Sequence, residues 1–541
     1  MRKPTGILFA PSIILFIALF WSCQTSQTEP VPITTQEIES HIRFLSDDLL
    51  EGRAIGSRGL SVAALYQEDY FRSFGLAPVF GSNYRQSFPL TGVSPDRSAS
   101  LEAFSHQSKQ SLQLFEDFVV KSEREDCPGE ITGGLVYCGY LIQAPERNWD
   151  DIKNADLKGK VLLVEINEPG NSPGGIFDGE DMTYYGRWVY KFEKAGELGA
   201  AGILLIHNTK GAAYGWEVVR NGWSRETFFL PDKNNRLFFQ GWVQEAAAEK
   251  MLDSVKLNRK ALLAQAETQS FQPVPLGLTI KVRQHPSLRT VNTENVAALL
   301  RGKHKDHREQ SIILSAHYDH LGKDENLEGD KIYNGAVDNC SATATMLALA
   351  SFYAQRPQDL KVDLVFAGVT AEEENLLGSD YFARHLPFPA SSVLADINFE
   401  MTNVWGETED VYGIGAKQSD LDDILRLAAA NLGLRTIPER NGELGFFFRS
   451  DQLSFARAGI PAVWLHQGVV SKGDDKGFAL RKFDEYQKSK YHKVTDEIEK
   501  DWDLRGAVQT ARWAQETIRL LQESGQIPQF KETSSFRRKT E

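Results

Sequence analysis

The stretch Ser311-Ile312-Ile313-Leu314-Ser315-Ala316-His317-Tyr318-Asp319-His320 decides the fold. It is an apolar, β-rich run that stops at a His-x-Asp. Two later stretches end in the same way. Residues 361–371 are strand-like and run into Glu372, Glu373 and Glu374 ahead of Gly378-Ser379, and residues 393–399 run into Glu400-Met401. Between them, Gly335-Ala336-Val337-Asp338-Asn339 reads as a turn feeding a helix over Ala342 to Tyr353. Strands alternating with helices predict an α/β fold with a mostly parallel (mixed) central sheet flanked by helices. In such sheets ligands bind outside the carboxyl ends of the strands, so His317, Glu372, Glu373 and Glu400 are expected at one rim.

Mixed imidazole and carboxylate donors suit zinc, and a carboxylate bridging two ions about 3.5–4 Å apart is the usual two-metal clamp. Two zinc ions carry four positive charges, and three ligating carboxylates cancel three of them. The remainder acidifies a bridging water. A further carboxylate that binds no metal would serve as general base, and Glu372 and Glu373 together offer one of each.

The ordered set of His317-x-Asp319, Gly335-Ala336-x-Asp338-Asn339, Glu372-Glu373 before Gly378-Ser379, Glu400-Met401 and Tyr491-His492 resembles the co-catalytic zinc exopeptidases. These include secreted bacterial aminopeptidases and glutamate carboxypeptidases. The resemblance implies that Asp338 bridges two zinc ions, that His317 and Glu400 complete one, and that Glu373 and His492 complete the other. It further implies that Glu372 is the base, that Asp319 orients His317 through its second ring nitrogen, that the Tyr491 hydroxyl steadies the oxyanion, and that the Asp338–Asn339 bond is cis. The family usually has Asp where this chain has Glu400, a longer arm by roughly 1.5 Å. The function implied is removal of N-terminal residues from peptides. A carboxypeptidase using the same site, a one-zinc glutaminyl cyclase and a metal-free binding module are the rivals.

Elsewhere the chain is less specific. A length of 541 residues with 41% hydrophobic and 25% charged residues is that of a globular protein of more than one domain. The net charge of −13 argues against a nucleic-acid partner. Residues 1–23 read as a lipoprotein signal: basic Arg2 and Lys3, an apolar run, then Phe20-Trp21-Ser22-Cys23, with Cys23 as the lipidated residue. This predicts export and attachment to a bacterial membrane. Residues 24–33 read as a tether.

The expected divisions are a catalytic domain over 34–116 and 280–525, an insertion over 117–279 and a tail over 526–541, disordered from Lys531 to Glu541. The insertion, with Lys160 to Glu165 as a buried strand and Tyr190 to Ile206 as a helix, a glycine break and another strand, resembles the β-rich protease-associated domain. Its aromatics Tyr184, Trp188, Tyr214 and Trp216 either overhang the cleft or fill its own core. Thr34 to Glu37 forms a capping box for a first helix. Arg53 and Arg58, in the glycine-rich stretch that follows, bind either an anion or neighbouring carboxylates. Cys127 and Cys138 are candidates for a pair. His304 and His307 read as exposed, His320 as a support or packing residue, and His466 as either pocket lining or structural.

Overall fold

The computed structural model describes residues 1, 32–124, 126–170, 175–179, 181–231, 237–303 and 309–537. The signal, Cys23, nearly all of the tether, and His304 and His307 lie outside them. The larger sheet contains β1 (Arg85–Ser94), β2 (Thr227–Phe229), β3 (Ser287–Leu300), β4 (Ser311–His317), β5 (Asp363–Val369), β6 (Val393–Asn398), β7 (Asp410–Ile414), β8 (Arg435–Thr436) and β9 (Ala462–Gln467). They lie in the order β2-β1-β3-β5-β4-β6-β9-β7-β8. Strands β5, β4, β6 and β9 run parallel to one another, while β1, β2 and β3 pair antiparallel on one side, where β3 is also antiparallel to β5, and β7 pairs antiparallel with β9 on the other. The parallel centre follows from sequence: β4, β5 and β6 are buried at every position, as a strand covered on both faces must be.

Helices supply that cover. Helix α1 (Thr35–Leu45) starts where Thr34 Oγ1 accepts the Glu37 amide, a cap worth about 1 kcal/mol. Helix α2 (Arg58–Ser73) follows the glycine-rich turn. Helix α3 (Ala342–Ala354) is buried almost all round, which its run of Ala, Thr and Leu permits. Helix α4 (Arg505–Ser524) closes the domain.

A second, eight-stranded sheet forms from residues between 100 and 283. It corrects the expected boundaries. Strands Ser100–Phe104 and Lys109–Leu112 belong to it although they precede residue 117, and Val274–Arg283 runs past 279. No change in composition marks these joins, because the chain leaves and re-enters through the long antiparallel pair β1 and β3 of the first sheet. The insertion also carries helices Trp188–Glu197, Trp216–Trp223, Glu245–Asp253 and Arg259–Ala266, so it is a mixed rather than a purely β unit. Cys127 and Cys138 are unpaired. They pack into hydrophobic clusters that take alternate residues of the strand Val161–Glu165, hence on opposite faces of this sheet.

The C-terminal segment is ordered through Arg537, contrary to the expectation of a disordered tail. Phe536 is 8% exposed and packs against Phe447 and Phe448 of the catalytic domain, Tyr184 of the insertion and Phe530 of its own segment. Backbone bonds Asp420 N to Gln529 O and Lys531 N to Gln418 O hold one side, and Arg147 Nη2 donates to Thr533 O on the other. The charged residues of the segment hid two aromatic anchors. Burial of one Phe is worth about 1.5–3 kcal/mol, so Phe536→Ala should release the strap. Trypsin should then cut after Lys531 faster than in wild type while the main unfolding transition stays in place, and an unchanged cleavage rate would contradict this packing.

Candidate metal centre

The carboxyl ends of the parallel strands deliver the predicted residues to one place. His317 ends β4, Glu372 and Glu373 follow β5, Glu400 follows β6, Asp338 sits in the turn before α3, and His492 arrives from the loop before α4. His317, Asp338 and Glu400 form one buried group with ligand atoms within 4.8 Å of one another. His317 Nε2 lies 3.3 Å from Asp338 Oδ1 and 3.3 Å from Glu400 Oε2. On the other side of Asp338, His492 Nε2 lies 3.2 Å from Asp338 Oδ2 and 3.2 Å from Glu373 Oε2. The two oxygens of Asp338 thus face two separate histidine–carboxylate pairs.

These spacings suit ions better than hydrogen bonds. Two donors each about 2.0–2.1 Å from a tetrahedral zinc lie about 3.3 Å apart, and the buried His317 Nε2 has no hydrogen-bond partner. His320 also comes close to Asp338 and Glu373. Its Nδ1 is 2.6 Å from Glu373 Oε1, a hydrogen-bond distance too short for two donors on one tetrahedral ion. His320 therefore holds Glu373, as a support residue would, and His492 is the better ligand. The longer Glu400 is accommodated: Ser450 Oγ donates to its Oε2 at 3.0 Å and Asn339 Nδ2 at 3.3 Å.

The charges record the crowding. Burial opposes a charge on His317, yet Glu400 and Glu372 beside it hold its pKa well above the usual range. Burial likewise opposes ionisation of Asp338, but His317 and His492 keep its carboxyl low. Burial, with Glu400 and Glu373 nearby, pushes Glu372 well above the carboxylate range. Its Oε2 is 3.9 Å from His317 Nε2, and it belongs to neither cluster.

The Asp338–Asn339 bond is cis. Asp338 is fixed by Asp496, whose carboxylate accepts the amides of Val337 at 2.9 Å and Asp338 at 3.1 Å and the Tyr486 hydroxyl at 2.9 Å. Gly335, at φ +59°, opens this turn, and a Cβ there would strike the Asp338 carbonyl oxygen. Asp496 is a functional support that the sequence motifs do not single out. Its signal was a lone acid four residues after the ligand histidine.

Two expectations change. His317 Nδ1 faces the Asp319 backbone carbonyl at 3.2 Å, with the Asp319 carboxylate at 3.7 Å. That carboxylate instead accepts the amides of Glu372 at 3.2 Å and Glu373 at 3.4 Å, so Asp319 fastens the acidic turn. Arg53 binds neither an anion nor a carboxylate. Buried, it donates to the carbonyls of Tyr318 at 2.8 Å, Asn334 at 2.7 Å and Gly335 at 3.4 Å, clipping together two loops that carry ligands. Tyr491 stacks on His492 with centroids 3.9 Å apart. His466 is buried, bonded through Nδ1 to Gln467 O and stacked on Tyr412, so it is structural.

Burial lowers His466 to about 4. Its folded pKa lies below the unfolded value of about 6.5, so the unfolded chain binds the extra proton. His466 should therefore cost stability as pH falls from 6.5 towards 4, by up to about 3 kcal/mol. His466→Phe should flatten that part of the stability curve relative to wild type, measured by denaturant titration at pH 7 and pH 4.5; an unaltered difference would contradict a buried neutral ring. For the metal centre, Asp338→Asn should weaken zinc binding at both clusters, seen by calorimetry as loss of two sites. Loss of a single site would contradict the shared role of Asp338.

Residues 295–515 match the model of Peptidase family M28. Among solved structures, the chain is similar to the aminopeptidase from Aneurinibacillus sp. strain AM-1, at 19% identity over 90% of this chain and 93% of that one, with a TM-score of 0.50. It also matches BSAP, a zinc aminopeptidase from Bacillus subtilis, at 18% identity over 92% and 96% with a TM-score of 0.43. A third match is a Peptidase M28 precursor from Shewanella amazonensis SB2B, at 15% identity over 90% and 95% with a TM-score of 0.39. The first of these agrees with the mixed α/β architecture described above. The region that supplies His317, Asp338, Glu372, Glu373, Glu400 and His492 belongs to peptidase family M28.

Proposed function

We propose that the chain is a zinc-dependent aminopeptidase using two ions, one held by His317, Asp338 and Glu400 and the other by Asp338, Glu373 and His492. The observation that carries this reading is the pair of oxygens on Asp338, each set at ion-sharing distance from a histidine and a second carboxylate. Zinc there would supply Lewis-acid polarisation of a peptide carbonyl and lower the pKa of water.

The chain's own groups do the rest. Glu372, outside both clusters, takes a proton from the attacking water. The same carboxyl then passes that proton to the leaving amine. Asp319 holds the Glu372 and Glu373 amides, which keeps the base aimed at the rim. The Tyr491 hydroxyl stabilises the oxyanion, with its ring fixed against His492. The His492 side chain is 37% exposed, so peptides enter on its side. The insertion acts as a protease-associated module beside that entrance. The chain is exported and anchored through Cys23, a reading supported by the basic, apolar and Cys-ending start of the sequence.

One observation favours the carboxypeptidase alternative. Arg187 of the insertion has a buried Nε without a hydrogen-bond partner, and burial together with Arg449 lowers its pKa to about 10. Arg449 also acts on Tyr491 and on Tyr214. Two arginines without an ion-pair partner among the described residues, on the Tyr491 side, suit a substrate carboxylate.

The reporters that decide are aminoacyl anilides, N-blocked peptides with a free carboxylate, and free dipeptides, each with and without chelator. Hydrolysis of the anilides should be lost with chelator and fall about 100- to 10,000-fold in Glu372→Gln. Turnover of N-blocked peptides alone, reduced by Arg187→Gln, would move the assignment to a carboxypeptidase. Chelator-insensitive hydrolysis, or none at all, would overturn the metallopeptidase reading.

A further inference from the structure

The turn that carries Glu372 and Glu373 is held in an uncommon backbone conformation. Ala371, Asn375 and Leu376 have φ of +56°, +69° and +62°. Asn tolerates that region, whereas Ala and Leu occupy it only where surrounding contacts enforce it. From inside the fold, the Asp319 carboxylate supplies one such contact through the Glu372 and Glu373 amides. From outside, the contact comes from the insertion. Strand β2, Thr227–Phe229, leaves the insertion and adds to the edge of the catalytic sheet against β1. There the Phe228 amide donates to Glu374 Oε2 at 3.1 Å.

The strand is itself fixed by the insertion. Lys121, which is 6% exposed, donates through Nζ to Thr227 Oγ1 at 3.2 Å and lies over the rings of Trp223 and Phe229 at 4.3 and 4.7 Å. A continuous path of contacts therefore runs from the insertion's sheet through Lys121, Thr227 and the Phe228 amide to the residue after Glu373. We propose that Glu374 is a positioning residue through which the inserted domain holds the Glu372–Glu373 turn in its reactive conformation. The insertion then serves the chemical step itself. This rests on the assignment of Glu372 as base.

The test removes the bond from each end. Glu374→Ala deletes the acceptor and Phe228→Pro deletes the donor, at an edge position whose amide points away from β1. Glu374→Gln keeps an acceptor oxygen. Each of the first two should lower kcat about tenfold, the scale of lost support to a metal-site residue, with KM changed less than about twofold. The double variant should be no slower than the slower single variant, because both delete one contact. Glu374→Gln should recover most of the rate.

Hydrogen exchange of the metal-free protein gives a readout independent of turnover: amides of residues 371–377 should exchange faster in Glu374→Ala than in wild type. Wild-type kcat together with wild-type exchange in Glu374→Ala would overturn the proposal, as would a Glu374→Gln variant as slow as Glu374→Ala. If Phe228→Pro fails to fold, the two Glu374 variants decide. Wild-type protein that hydrolyses no peptide reporter would defeat the peptidase reading, while the exchange comparison would still report on the tether.

Discussion

The structure depends on a concentration of like charge that water does not screen. Asp338, Glu373 and Glu400 converge below the surface with Glu372 beside them, and the protein compensates with His317, His320 and His492. Placing that many carboxylates together in a dry site is unfavourable unless cations share it. The fold meets this constraint by fixing each donor's backbone separately. Asp496 secures Asp338, Ser450 and Asn339 secure Glu400, and His320 secures Glu373. The parallel sheet serves this constraint, because strands ending at one rim bring His317, Glu373 and Glu400 together, where the turn of Asp338 and the loop of His492 meet them.

Much of this was legible in the sequence because chemistry and topology agree there. Apolar runs ending in His317, Glu372 and Glu400 announce both buried parallel strands and their functional ends, and α3 announces itself by length. The supports were not legible. Arg53 binds carbonyl groups 265 and more residues away, and no charge pattern along the chain predicts a guanidinium satisfied by backbone. The turn of Asp319's carboxylate towards the Glu372 and Glu373 amides, rather than to His317, depends on how two strand ends meet in space. The insertion's true joins escaped notice for a related reason: β1 and β3 continue the pattern of the catalytic sheet right up to the crossing.

The insertion is more closely involved than a module joined by its two ends. Met182 N bonds to Gly442 O, Arg457 pairs with Glu193 at 2.8 Å, and Phe536 packs between Tyr184 and Phe447. These contacts reach the segment 446–451, which contains Ser450, and so connect to Glu400. Burial of apolar surface at this seam and a few aimed hydrogen bonds at the rim divide the work between them. The first gives adhesion and the second gives register.

The measurement that tests the account most directly is anomalous diffraction at the zinc edge from crystals of the zinc-loaded protein. The account predicts two peaks about 3.5–4 Å apart, one on each side of the Asp338 carboxylate. One peak lies against His317 and Glu400 and the other against Glu373 and His492. A single peak, or a pair in which Asp338 touches only one ion, would contradict it.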